Sequence, residues 1–137
     1  MSSLIGQQSS VTPAVCSHNG LLHMVFLANN NAHELLHVQS RDGINWERRN
    51  NLNQQTKFAP ALIDHNGKLV VVFVANDSSN RLLTSTWDEQ IDSWTSNRLL
   101  GGESSNDGPV LGIERNALFV YFRANNGTGD LLALRVA

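Results

Sequence analysis

Two sets of short polar segments recur along this chain, and both are built of side chains that hold hydroxyl groups well. One set is Asn29-Asn30-Asn31-Ala32-His33-Glu34, Asn76-Asp77-Ser78-Ser79-Asn80 and Asn125-Asn126-Gly127-Thr128-Gly129-Asp130. The other is Gln7-Gln8-Ser9-Ser10, Gln54-Gln55-Thr56-Lys57 and Glu103-Ser104-Ser105-Asn106-Asp107. A carboxamide offers donors and an acceptor in fixed geometry, and a carboxylate offers acceptors, so together they can grip vicinal hydroxyls. Asn and Asp also make tight turns for purely local reasons. Turn chemistry accounts for one Asn per segment; it accounts less well for Ala-Asn-(Asn/Asp) keeping its place three times. The candidate ligand-binding residues are therefore Gln8, Asn29, Asn30, Glu34, Gln55, Asn76, Asp77, Glu103, Asn125, Asn126 and Asp130.

Other chemistry has less to work with. A glycosidase can run on two carboxylates, and Glu34, Asp77, Glu103, Asp107 and Asp130 are available, but no catalytic motif joins them. His33 and His37 would lie about 13 Å apart on one strand, too far for a shared metal. His23 reads as an interior histidine. The single cysteine, Cys16, excludes an intrachain disulfide or a cysteine-based zinc site and reads as a buried small hydrophobe. No cofactor and no metal are expected. The net charge of -2 and the absence of a basic run give nucleic-acid binding no support. Asn, used sixteen times, supplies polarity that other chains draw from ionic residues; only 16% of residues are charged. The longest apolar run, 69–75, is too short to span a bilayer. Residues 1–4 lack a basic stretch and a long apolar one, so the expectation is a cytoplasmic protein, or one released without a classical signal peptide.

The elements that must position the polar segments follow from an internal repeat. Pro13, Pro60 and Pro109 are spaced by 47 and 49 residues; Phe26, Phe73 and Phe122 keep the same spacings. So do Ala28, Ala75 and Ala124, the Asn residues that follow them, and the Leu-Leu pairs beginning at Leu35, Leu82 and Leu131. Each unit divides into short strands: A at 14–17, 61–64 and 110–114; B at 21–28, 68–75 and 117–124; C at 35–40, 82–87 and 131–136; D at 46–52 and 94–100. Asn-Gly turns join A to B in the first two units. The B runs are almost continuously apolar and rich in β-branched residues, which predicts strands covered on both faces. Tyr121 falls inside such a run and is expected to be buried.

The chain thus reads as an all-β protein of β-propeller blades, three four-stranded antiparallel blades in circularly permuted form. The repeats run about 9–55, 56–103 and 104–137, with residues 2–8 as the outer strand of a blade; Ile5 precedes Pro13 as Leu52 precedes Pro60. Blades bury their faces only against neighbours, and propellers typically have about four to eight of them. A homodimer forming a six-bladed ring is expected.

Ser40-Arg41-Asp42-Gly43-Ile44-Asn45-Trp46 at the C–D turn resembles the Asp-box of sialidase-type repeats, with one residue fewer; Ser85 through Trp94 is a degenerate copy. Ser40, Asp42, Gly43, Trp46 and Trp94 are expected to have structural turn roles. The repeat pattern as a whole resembles small β-propeller lectins. That resemblance implies a non-catalytic, multivalent carbohydrate-binding protein, with glycans as partners and sites made by the B–C and D–A loops between adjacent blades. The alternatives are a protein-interaction or structural scaffold and a sialidase-like glycosidase. Against the last, Tyr121 is the only tyrosine, and Arg123 has Leu27 and Val74 at its matching positions, so no arginine cluster follows the repeat.

Overall fold

A computed structural model describes residues 2–137. The described residues form no helix and twelve strands: β1 (Ala14–His18), β2 (Leu21–Leu27), β3 (Glu34–Ser40), β4 (Trp46–Gln55), β5 (Ala61–His65), β6 (Lys68–Val74), β7 (Arg81–Asp88), β8 (Ser93–Trp94), β9 (Arg98–Ser104), β10 (Val110–Glu114), β11 (Ala117–Arg123) and β12 (Leu131–Arg135). They make three antiparallel meanders, the blades of an all-β propeller fold. The first blade runs β1-β2-β3-β4, the second β5-β6-β7 with β9 beside β7, and the third β10-β11-β12.

Two-residue turns close the inner hairpins. His18 pairs with Leu21 and His65 with Lys68. Between them Asn19-Gly20 and Asn66-Gly67 all take positive φ, which suits a primed turn matched to strand twist. In the third blade Arg115 and Asn116 take the same conformation without a glycine.

The fourth strand of each blade also serves the next. Thr56 bridges Ala75 and Ser105 bridges Ala124; Ser9 bridges Ala28 in the same way. The backbone N–H groups of Lys57 and Asn106 donate to Val74 and Arg123 (both 3.0 Å), and that of Ser10 donates to Leu27 (3.2 Å). The hydroxyls of Ser9, Thr56 and Ser105 each donate to the carbonyl two residues on, at 2.8 Å. Residues 2–8 therefore enter blade 1 as β4 enters blade 2, although they pair with no strand in the single chain.

Apolar side chains alternate between the two faces of each blade. Phe73 faces blade 1 among Val25, Leu35, Leu52 and Val71. Phe122 faces blade 2 among Val70, Val72, Val74, Leu82 and Leu118. Phe26, on the corresponding face of blade 1, packs with Met24, Leu36 and Val38 under Ile5 and Trp46.

Three expectations need correction. The fourth strand of the second blade is not 94–100: Ser93–Trp94 folds back on Trp87–Asp88 as a short hairpin, and the strand resumes at Arg98. Thr95 anchors this detour, its carbonyl accepting the Ser85 hydroxyl at 2.6 Å. The first blade's fourth strand is longer than expected, reaching Gln55 across two register shifts. Finally, β11 is not covered on both faces, and Tyr121 is exposed rather than buried, because nothing in the single chain lies against that side of the third blade.

Candidate functional site

The loops that lead out of strand B and into strand A gather at one end of the blades, where two equivalent clefts open. Cleft 1, about 510 Å³, is lined by Gln7, Gln8, Asn29, Asn30 and Arg49 over a floor of Phe26, Ala28 and Leu36. Cleft 2, about 480 Å³, is lined by Gln54, Gln55, Asn76 and Asp77 over Ala75 and Leu83. These are the same repeat positions, displaced by one blade. Cleft 2 has further polar groups: Asn51 and Asn53 stand where cleft 1 has Leu4 and Gly6, and Glu34 enters from the start of strand C in the preceding blade.

Within cleft 1 the Asn29 carboxamide donates to Gln8 Oε1 at 3.4 Å. Asn30 is turned to its own loop, accepting the Ala32 N–H at 2.8 Å. In cleft 2 Asp77 accepts both the hydroxyl (2.5 Å) and the backbone N–H (2.8 Å) of Ser79. The Ser79 hydroxyl, then its N–H, hold the Asp77 carboxyl below the usual range, so it stays ionised at neutral pH. Gln55 stands opposite Glu34 in the β3–β4 ladder. Sequence candidates from four segments thus meet in two clefts: Gln8, Asn29 and Asn30 in one, and Glu34, Gln55, Asn76 and Asp77 in the other. Glu103, Asn125, Asn126 and Asp130 line neither. Asn125 instead accepts from the Asn80 amide (3.4 Å), whose oxygen accepts from Lys57 Nζ at 2.8 Å. Asn126 closes its own turn through Thr128.

At the other end of the blades the C–D turn of blade 1 is held by its polar residues. Ser40 Oγ accepts the Gly43 N–H (2.8 Å), while Asp42 accepts the N–H groups of Ile44 (2.9 Å) and Asn45 (2.8 Å) and the Asn45 amide (2.7 Å). Those donors, the Asn45 and Ile44 N–H groups first, pull the Asp42 carboxyl far below its ordinary range. Gly43 takes φ 80, which favours glycine. The Trp46 indole donates to its carbonyl at 3.1 Å. Trp94 does not belong to this arrangement; it lies between blades, 5.3 Å from the His37 ring and 5.5 Å from Trp87.

A second polar cluster was hidden in the sequence. His18 is buried, and its Nδ1 meets Asp64 Oδ2 at 2.6 Å while its Nε2 meets Glu89. Asn19 donates to the same Glu89 oxygen at 2.6 Å, and that contact leads in lowering the Glu89 carboxyl. Behind His18 stand His23 and His37, joined by a 2.9 Å hydrogen bond. Burial, reinforced by His23, pushes His37 down to about 3; burial and His18 lower His23. The partners of His18 are 46 and 71 residues away, in another blade, with no repeat to flag them. Cys16 is half-buried rather than buried, and burial raises its thiol. Among the described residues no group of three or more His, Cys, Asp or Glu side chains is placed to hold a metal ion.

No protein family and no curated protein matches the chain. Solved structures do. The Bacteroides ovatus xyloglucan PUL protein GH43B superposes with a TM-score of 0.66 at 14% identity, over 95% of this chain and 27% of its own. An α-L-arabinofuranosidase, CtGH43 from Clostridium thermocellum, gives 0.63 at 14% identity, over 97% and 53%. An N-acetylgalactosamine deacetylase from F. plautii, solved with blood group B trisaccharide, gives 0.55 at 10% identity, over 94% and 49%. The chain therefore spans between about a quarter and about half the length of these neighbours. At such identities the likeness establishes the β-propeller fold.

The neighbours are GH43 propellers and a deacetylase, not lectins or sialidase-type repeats. They overturn two expectations, a non-catalytic lectin and the absence of enzymatic activity. The first rested on the resemblance of the repeats to small propeller lectins, the second on finding no catalytic motif along the chain. Carboxylates of different blades, such as Glu34 and Asp77, come to line one cleft only through the fold, which no motif along the chain records.

Proposed function

We propose that this chain is a carbohydrate-active protein that works on glycosidic bonds in the clefts between its blades. The observation that carries the reading is cleft 2. There two carboxylates from adjacent blades, Glu34 and Asp77, line one opening with the carboxamides of Gln54, Gln55 and Asn76. Paired carboxylates are the ordinary equipment for glycoside hydrolysis, one holding a proton for the leaving group and the other ionised. Asp77, kept charged by Ser79, suits the ionised role; Glu34 is left for the proton donor. The carboxamides would hold sugar hydroxyls. The named neighbours, an arabinofuranosidase and a deacetylase bound to a trisaccharide among them, support a carbohydrate substrate. A homodimer closing six blades, with residues 2–8 as an outer strand, belongs to the same proposal.

The test is turnover. Purified protein is given a panel of plant and host oligosaccharides and aryl glycosides, and released sugar is measured. Turnover is expected, falling at least about a hundredfold in Glu34→Gln and in Asp77→Asn with the fold retained. A parent protein silent across the panel, or turnover indifferent to both substitutions, overturns the reading.

A further inference from the structure

We infer that cleft 1 is one half of a site whose other half is supplied by a second copy of this chain: blade 3 of the partner seats beside blade 1, and the partner's Asp130 completes the cleft. This rests on the proposed working role of the clefts only for its functional meaning; the association stands on its own observations.

The first observation is the face of the third blade. Val25 and Val72 hold equivalent positions in blades 1 and 2, each 0% exposed against the next blade; the third member, Tyr121, is 42% exposed. Leu35 and Leu82 are likewise 0% exposed, whereas Leu131 is 84% exposed. Val110 lies on the same face, opposite Tyr121, and is exposed too. The chain builds this half-interface three times and covers it twice.

The second observation is the complementary half, at residues 4–8. Ile5 packs on the Phe26 face as Leu52 packs on the Phe73 face, and Ser9 makes the crossing that Thr56 makes. Residues 51–55 pair along β3, yet residues 4–8 pair with nothing, and one edge of β12 is equally free. The register is dictated by the repeat. Glu34 pairs with Gln55 and Arg81 with Ser104, so the partner's Asp130 falls opposite Gln8. Leu36 pairs with Asn51, so the partner's Leu132 falls opposite Leu4, which is 99% exposed in the single chain.

The third is charge. Glu34 gives cleft 2 a carboxylate from the preceding blade, and cleft 1 lacks its counterpart. Arg49 lines cleft 1 with no carboxylate at ion-pair distance among the described residues. The partner's Asp130 supplies both the missing acid and the counter-charge. By C2 symmetry the pair makes two such composite clefts and leaves neither edge strand bare.

Two measurements test this without any glycan. Light scattering of the purified 137-residue protein is expected to give twice the 15.1 kDa chain mass, and Leu131→Arg and Tyr121→Arg are expected to return it to one chain mass. Both side chains are exposed in the lone chain, so circular dichroism should show the fold retained. The second is a register test on Cys16→Ser protein carrying Gln8→Cys and Asp130→Cys. Directly paired positions are within disulfide reach, so mild oxidation should give a covalent dimer. A parent of single-chain mass, a dimer unaffected by both arginine substitutions, a ladder of larger covalent species or no cross-link would each overturn the inference. Loss of sugar turnover with the dimer intact would instead fault the proposed function alone.

Discussion

Where the second blade meets the third, the filling is aliphatic: Val70, Val72 and Val74 face Leu118, Val120 and Phe122, with Leu82 and Leu100 beside them. Where the first meets the second, half the seam is of that kind, around Phe73. The other half is His23, His37, Trp87 and Trp94, capped by His18 between Asp64 and Glu89. The backbone geometry is the same. The aliphatic seam is held mainly by area and shape, with His65 Nε2 donating to the Asn116 carbonyl (2.8 Å) and Arg98 to the Val136 carbonyl (3.1 Å) at its edge. The imidazole seam adds direction, because each ring must meet a particular donor or acceptor, and it adds risk: His37 Nδ1 and Trp94 Nε1 are buried without a partner. One seam contributes cohesion, and the other contributes cohesion that depends on pH.

The largest effect is expected in the aliphatic seam. Leu118 is fully buried, and Leu118→Ala should cost about 4 kcal/mol through lost transfer energy and an unfilled cavity. Urea unfolding at pH 7 measures it, and the loss should be the same at pH 5.

The imidazole seam should respond the other way. His37 has a folded-state value near 3 against an ordinary 6.5, so the unfolded chain takes up its proton first. Stability is therefore complete above pH 6.5 and is lost progressively as the pH falls towards 3. Between pH 7 and pH 4 the loss should be about 3 kcal/mol. His37→Gln, which can still hydrogen-bond His23 but does not titrate, should flatten that part of the profile. An unchanged profile in the variant would mean that the two seams do not differ as described.

The smallest effect tests the cap. His18→Ala and Glu89→Gln together should lose less than the sum of the two single losses, with a coupling of about 1 kcal/mol at pH 6. Glu89 is half-exposed and solvent weakens the pair. A coupling of zero would reduce the cap to a surface contact and leave the inner histidines as the whole distinction.

The same contrast explains what could be read from the residues in order. The blades were legible because Phe26, Phe73 and Phe122 and the Ala-Asn pairs repeat at fixed intervals, and alternation places their faces. The two clefts were legible in part: the amide-rich segments could be found, but their sorting into Gln8 with Asn29, and Glu34 with Asp77, needed the crossing strands. The hydroxyls of Ser9, Thr56 and Ser105 carried a signal in the same 47- and 49-residue spacing. The His18 cluster was harder to find: His18 and Asn19 recur as His65 and Asn66, but the acidic partners Asp64 and Glu89 come from another blade. The detour at Ser93–Trp94 depends on Thr95 reaching back to Ser85, a contact that propensity does not encode. Enzymatic activity was judged from motifs along single segments, whereas Glu34 and Asp77, which line one cleft, come from different blades.

Because β4 is hydrogen-bonded to one blade while Leu52 and Thr56 serve the next, the structural joint does not fall where the repeat does. A deletion cut at the end of a repeat would strip the neighbouring unit of its latch, so autonomous modules from this chain must be excised past the crossing, near Phe58 to Pro60. Swapping, shuffling or tandem duplication of units should succeed only with that overhang attached, and any evolutionary gain or loss of a unit would have had to respect it as well.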